Sequence, residues 1–303
     1  MRTWIRRSLI ALSTIAALAG ATVLAGVALS ERKLDRKVAL PPLPVVEARS
    51  DAAALARGEY LYRSRGCADC HGTDGAGRLF IDSPDGMRVR GANLTTGAGS
   101  AVRRYGDLDW QRAIRHGVKP DGRPLFVMPS EDYAGLTDAD LGALIGHLRS
   151  LAPVDTAPAR FELPLLVRVL YGFGAIPDAA QKIDHARPAP QPVAEAISAE
   201  HGGYVAQSCI GCHGRDFSGG RVAGGPPDWP AASDLRPGPA SAMARYRNAD
   251  EFVAMLRSGK RPDGSAVSPV MPFAMLRELS DVDARAMYTY FTQALPPVAT
   301  LSR

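Results

Sequence analysis

The sequence predicts an all-α protein, in which two tandem copies of one small domain follow an N-terminal transmembrane helix. Three observations predict it. A run of 22 residues, Ser8 to Leu29, carries no charge. A five-residue motif, CADCH at 67–71, recurs as CIGCH at 209–213, and the features downstream of it recur in the same order. Elsewhere apolar residues fall at helical spacing, and no run alternates as a half-buried strand does.

A spanning helix needs about 20 apolar residues, whereas the apolar region of a cleaved signal takes about 7–15. Length therefore favours an uncleaved membrane anchor over residues 1–31. Cleavage after Ala17-Leu18-Ala19, as a signal peptide, stays open as the competing reading. Both flanks are basic, so charge does not orient the segment. The net charge is +5, and residues 1–40 hold seven Arg and Lys against Glu31 and Asp35, which is the whole excess. A nucleic-acid binder needs a basic footprint on its folded part. Residues 41–303 are formally neutral, so no nucleic-acid partner is expected.

The duplication holds register through four landmarks. RHGVKPDG (115–122) recurs as RSGKRPDG (257–264) at the offset of 142 set by the first motif. VMP at 127–129 and LTDAD at 136–140 recur as VMP at 270–272 and LSDVD at 279–283, offset by 143. Such order means two copies of one domain, over residues 50–153 and 198–298. Each copy opens with a helical pattern, Ala52 to Arg63 and Ala199 to Gln207, with Gly58-x-Tyr60 and Gly202-x-Tyr204 at matching points. A glycine-rich stretch follows the motif, then a second helix from about Leu108 to His116 and from about Ala249 to Ser258, with Trp110 and Phe252 as its core aromatics. Pro-Asp-Gly stops that helix, and an extended loop carries the methionine of VMP. Thr137 and Ser280 are N-cap candidates for the last helix, each with an Asp three residues on, close to a capping box. Between the copies, residues 154–197 form a proline-rich linker with one apolar stretch, LPLLVRVLYGFG (163–174). It is too short and broken to span a bilayer and reads as a short helix packed on or between the domains.

All four cysteines, Cys67, Cys70, Cys209 and Cys212, fall in the two C-x-x-C pairs. A shared zinc site would need pairs about 15–20 residues apart, and these are separated by 139. A thioredoxin-like pair wants a βαβ context and leaves the repeated histidine and methionine without a role. Heme attachment uses every repeated feature: both thiols form thioethers to one porphyrin, and the adjacent His71 or His213 becomes the proximal iron ligand. Covalent attachment of this kind takes place outside the cytoplasm, which places the folded part in the periplasm and residues 1–7 in the cytoplasm. Met128 follows His71 by 57 residues and Met271 follows His213 by 58. A thioether opposite histidine fills the sixth position and raises the reduction potential. Met87 has no counterpart, and Met275 competes with Met271 in the second copy. His116, His147, His185 and His201 do not recur and read as surface or capping residues, with His185 the one to check as a stray ligand. Arg78, Arg88, Arg90, Arg103, Arg104, Arg221 and Arg245 lie on loops that would frame the hemes and its propionates.

These features resemble tandem class I cytochromes c. RGEYL (57–61), GANLT (91–95), HGVKPDGRPLFVMP (116–129) and LTDADLGALIGHLRSLAPV (136–154) are similar to the membrane-anchored cytochrome c subunits of bacterial alcohol, aldehyde and gluconate dehydrogenases. The resemblance implies one covalent heme c per domain, two in all, held by Cys67, Cys70, Cys209 and Cys212. It implies iron ligation by His71 with Met128 and by His213 with Met271. It also implies an electron-transfer protein and not an enzyme, one that relays electrons at the inner membrane from a periplasmic or membrane-bound dehydrogenase subunit toward quinone or a terminal oxidase. Those subunits commonly have three heme domains and this chain has two, which leaves the partner open. The rival is a diheme redox enzyme of peroxidase or thiosulfate-oxidising type, which needs one displaceable axial ligand.

Overall fold

The computed structural model describes residues 2–222, 225, 226 and 228–298. The charge-free run forms the middle of one helix, α1 (Arg2–Asp35), long and apolar enough to cross a membrane. The first copy then folds as α2 (Ala52–Ser64), α3 (Cys67–His71), α4 (Asp107–His116), α5 (Ser130–Tyr133) and α6 (Asp138–Ser150). The linker contains α7 (Leu165–Gly172) and α8 (Ala179–Lys182). The second copy repeats the order as α9 (Ala199–Val205), α10 (Ile210–His213), α11 (Ala249–Ser258), α12 (Phe273–Leu276) and α13 (Asp281–Gln293).

The helical frame is as expected, but the expectation of no strands is corrected. β1 (Leu79–Asp82) and β2 (Arg88–Arg90) form a hairpin, and β3 (Arg160–Glu162) from the linker pairs with β2 to complete a small antiparallel sheet. Strands of three or four residues are too short to display alternation, and β3 reaches its partner from outside the first copy.

Each copy closes by crossing its first and last helices, α2 on α6 and α9 on α13. The crossings explain the matching glycines. A Cβ on Gly58 would overlap the Ala143 carbonyl oxygen, and one on Gly202 the Ala286 carbonyl oxygen, so only glycine lets these backbones approach. Around the crossings lie two apolar clusters, one holding Leu61, Trp110, Leu141 and Ile145, the other Val205, Phe252, Leu256 and Phe291. Trp110 and Phe252 are buried, as read from the sequence.

The caps form as anticipated: Thr137 Oγ1 accepts from Asp140 N at 3.1 Å and Ser280 Oγ from Asp283 N at 3.0 Å. The carboxylates themselves turn elsewhere. Instead of returning to the cap, they join the two copies, as described below. The apolar stretch of the linker packs as α7 chiefly on the outer end of α1, and Tyr171 at its end meets the Phe126 ring edge-on.

Candidate functional site

Gly66 and Gly72 bracket α3, so the first motif is one helical turn. Cys67 and Cys70, three residues apart, share its face. In the second copy a 3-10 turn, Ala206–Cys209, runs into α10 and places Cys209 and Cys212 likewise. None of the four is in a disulfide. Burial pushes the Cys67 and Cys209 thiols up to about 12 and Cys70 to about 11, and Cys212 also moves up.

The histidine rings are oriented in the same way in both copies. His71 Nδ1 lies 2.8 Å from the Ala92 carbonyl oxygen, and His213 Nδ1 lies 2.8 Å from that of Ser233. A nitrogen this close to a carbonyl carries the proton, so Nε2 keeps the lone pair that a metal would take. Burial holds both imidazoles below their ordinary range and so in the neutral, ligating form.

Methionine placement separates the candidates. Met271, His213 and Cys209 line one cavity of about 240 Å³ walled by Phe252, Leu256 and Met287. In the first copy, Met128 and Cys67 pack against one apolar cluster. Met275 turns away from the second cavity: its Sδ is 2.8 Å from where a Cβ on Gly66 would stand, beside the first motif. Met87 sits in the β1–β2 turn, where its carbonyl accepts from Ser83 N. An oriented neutral imidazole, paired thiols and a methionine around an apolar cavity fit heme c.

Two of the other histidines, His116 and His201, are buried and depart from the surface reading. His185 faces His116, Nδ1 to Nδ1 at 3.2 Å, and burial with this neighbour pushes His116 down to about 4. His185 therefore serves neither motif. His147 lies against the Tyr62 ring. His201 is buried, its Nε2 2.7 Å from Asp283 Oδ1. Of the arginines, Arg245 lines the second cavity, whereas Arg88 pairs with Asp82 and Arg103 donates to the Gly97 carbonyl.

Residues that the sequence marked only by their place in the repeat or at a helix cap join the two copies reciprocally. Tyr60 of α2 donates to Asp283 Oδ2 of α13 at 2.6 Å, and Tyr204 of α9 donates to Asp140 Oδ2 of α6 at 2.6 Å. Each aspartate is also held within its own copy, Asp140 by Arg57 at 2.9 Å and Asp283 by His201. Asp283 receives a further donor across the boundary, Arg65 Nη2 at 3.1 Å. Burial pushes Asp283 up, but the Arg65 charge and the bonds from Tyr60, His201 and Arg65 outweigh it and hold the carboxyl below its ordinary range. Asp140 is held low in the same way, with Arg57 outweighing burial. The helices that follow the methionines also cross over. α5 rests on α10, where the Asp132 carboxylate meets Gly211, and α12 rests on α2 and α3.

Residues 53–148 match the family described as cytochrome c oxidase, cbb3-type, subunit III, and form a cytochrome c domain. The chain is 29% identical over 275 residues to the cytochrome c subunit of a quinone alcohol dehydrogenase from Gluconacetobacter polyoxogenes, covering 82% of this chain and 57% of that one. It is 27% identical over 267 residues to the fructose dehydrogenase cytochrome subunit of Gluconobacter japonicus, covering 82% and 54%. It is 34% identical over 122 residues to the gluconate 2-dehydrogenase cytochrome c subunit of Pantoea cypripedii, covering 38% and 27%. The chain thus spans about half the length of the first two. All three are cytochrome subunits of dehydrogenases, electron-transfer components and not catalytic enzymes in themselves. A cytochrome c domain implies covalently bound heme c.

Proposed function

We propose that this chain is a diheme c-type cytochrome that relays electrons in the bacterial periplasm, from a dehydrogenase partner toward quinone or a terminal oxidase. Two cytochrome c domains, 50–153 and 198–298, stand in tandem behind an inner-membrane anchor in residues 1–31. Cys67 and Cys70 would hold one heme c through thioethers, and His71 and Met128 would ligate its iron. Cys209, Cys212, His213 and Met271 would hold the second in the same way. When bound, heme c supplies an iron that takes up and releases one electron.

The observation that carries the reading is the repeated tie from histidine Nδ1 to a backbone carbonyl, 2.8 Å in both copies. It fixes the ring and presents Nε2, a second-neighbour contact that a bystander histidine has no need of. Met128 and Met271, if they ligate together with His71 and His213, would leave no position for a substrate, which suits electron transfer. The protein then sets potential, distance and docking surface. α5 of the first copy rests on α10 of the second, and α12 of the second rests on α3 of the first, so each motif is contacted by the other copy.

Carbon monoxide tests this directly. The reduced protein is expected to contain two hemes c by pyridine hemochrome assay and to keep its visible spectrum when carbon monoxide is added. A response from one heme would mean an accessible iron and would move the diheme enzyme forward; a single heme would remove the tandem assignment.

A further inference from the structure

The helix between the two copies has a face that electron relay leaves unassigned. One side of α7 turns to α1. Val169 lies 2.9 Å from where a Cβ on Gly26 would stand, and a Cβ on Gly172 would overlap the Gly26 carbonyl oxygen and come within 3.0 Å of Ser30 N. Apolar side chains beside that contact stay bare: Leu165, Leu166, Leu170 and Phe173 are 55%, 68%, 37% and 53% exposed, Phe173 even though one edge of its ring lies, like Val169, 2.9 Å from where a Cβ on Gly26 would stand. Leu166 and Leu170, at i and i+4, lie on the side away from α1, and Phe173 just past the helix end borders them where the helix meets α1. Arg168, the one charged residue of α7, turns back to Glu31 of α1 at 2.7 Å, so the bare patch itself carries no charge.

The depth of this patch follows from α1. The charge-free run from Ser8 to Leu29 is about 33 Å long at 1.5 Å per residue, close to the ~30 Å thickness of a bilayer's hydrocarbon core. Its outer limit lies at Leu29 and Glu31, and Gly26, which α7 touches, lies about 4.5 Å inside Leu29. On the aqueous side of that level a polar knot closes the junction. Lys33 Nζ donates to the Tyr171 carbonyl at 2.9 Å, and Arg36 grips Asp178 with bonds of 2.6 and 2.7 Å. An amphipathic helix at a membrane surface buries its apolar face about 5–10 Å into the headgroup boundary, the level at which α7 is held.

We propose that α7 is an interfacial helix whose Leu165, Leu166, Leu170 and Phe173 face is immersed in the outer leaflet of the bilayer beside α1. The occupant of the face is lipid acyl chain. The second contact stops the folded part from swivelling about a single helix and fixes which side of it faces the membrane. This rests on the reading of α1 as an uncleaved span.

The test uses the full-length, heme-loaded protein in vesicles of phosphatidylethanolamine and phosphatidylglycerol. Single cysteines are introduced as Leu166→Cys, Ile15→Cys in mid-span and Gln191→Cys on the exposed linker, and each is labelled with a nitroxide. Power-saturation spectroscopy then compares access by oxygen with access by a water-soluble nickel chelate. The label at 166 is expected to side with that at 15, open to oxygen and closed to nickel, and opposite to that at 191. If 166 sides with 191 while 15 stays in lipid, the interfacial helix is wrong and the anchor stands. If both 15 and 166 side with 191, the span itself fails and the proposal falls with it.

Discussion

Asp283→Asn is the perturbation for which the structure sets the sharpest magnitude. The Asp283 side chain is 0% exposed and Arg65, its partner from the other copy, 5%. Asparagine preserves shape and can still accept from Tyr60, but it leaves a buried guanidinium without a counter-charge. Breaking a buried pair by removing one partner costs about 3–5 kcal/mol. For a unit of this size each kcal/mol lowers the melting midpoint by roughly 2–4 °C, so a fall of about 6–20 °C is expected. Asp140→Asn is the internal control. Its partner Arg57 is 26% exposed and has a second carboxylate, Glu195, at 3.6 Å. The loss there should be about 1–2 kcal/mol, between the buried and surface limits.

Acid dependence supplies an independent check. Because the Asp283 carboxyl is held low in the fold, its contribution is complete above the unfolded value of about 3.9 and is lost as pH falls through the lower folded value. Wild-type stability should therefore drop below about pH 5 more steeply than that of Asp283→Asn. Thermal unfolding of the heme-loaded protein followed by circular dichroism reads both effects. A double-mutant cycle of Arg65→Met with Asp283→Asn, which removes the charge pair from either side, should give a coupling of about 1–3 kcal/mol. Equal losses for Asp283→Asn and Asp140→Asn, or a coupling near zero, would refute the claim that this aspartate clamps the two copies.

Two further outcomes follow from the geometry. Gly58→Ala and Gly202→Ala should each cost about 1–3 kcal/mol or more, because backbone carbonyls meet the new methyl. Gly203→Ala should cost less, since the atoms it meets belong to the Tyr290 ring; urea unfolding ranks the three. In potentiometric titration, Met271→His should lower one heme midpoint and leave the other nearly in place, whereas Met275→Leu should leave both. The reverse pattern would assign the ligand to Met275.

What could be read from the sequence is what local chemistry decides. Caps at Thr137 and Ser280, a helix stop at Pro-Asp-Gly and a glycine at each helix crossing are written in a few neighbouring residues, and the duplication displays each of them twice. The short sheet was not legible, because three-residue strands carry no period and β3 comes from the linker. That Met271 and not Met275 lines the second cavity was not legible either, since Met275 lies on the short helix α12, which packs against the other copy. The clamp was hidden for a subtler reason. Arg57 and His201 stand at the same offset of 144 as Tyr60 and Tyr204, and both hold the aspartate of their own last helix. A search for identical residues passes over them because they share only the role of donor. The copies also diverge across the boundary: Arg65 reaches Asp283, whereas among the described residues no arginine of the second copy reaches Asp140, which is paired with Arg57. The pairs that cross the boundary, Tyr60 with Asp283 and Tyr204 with Asp140, are the same residues in both copies. The repeat displays each of them, but not that each tyrosine reaches the aspartate of the other copy, which is settled only when the two copies pack.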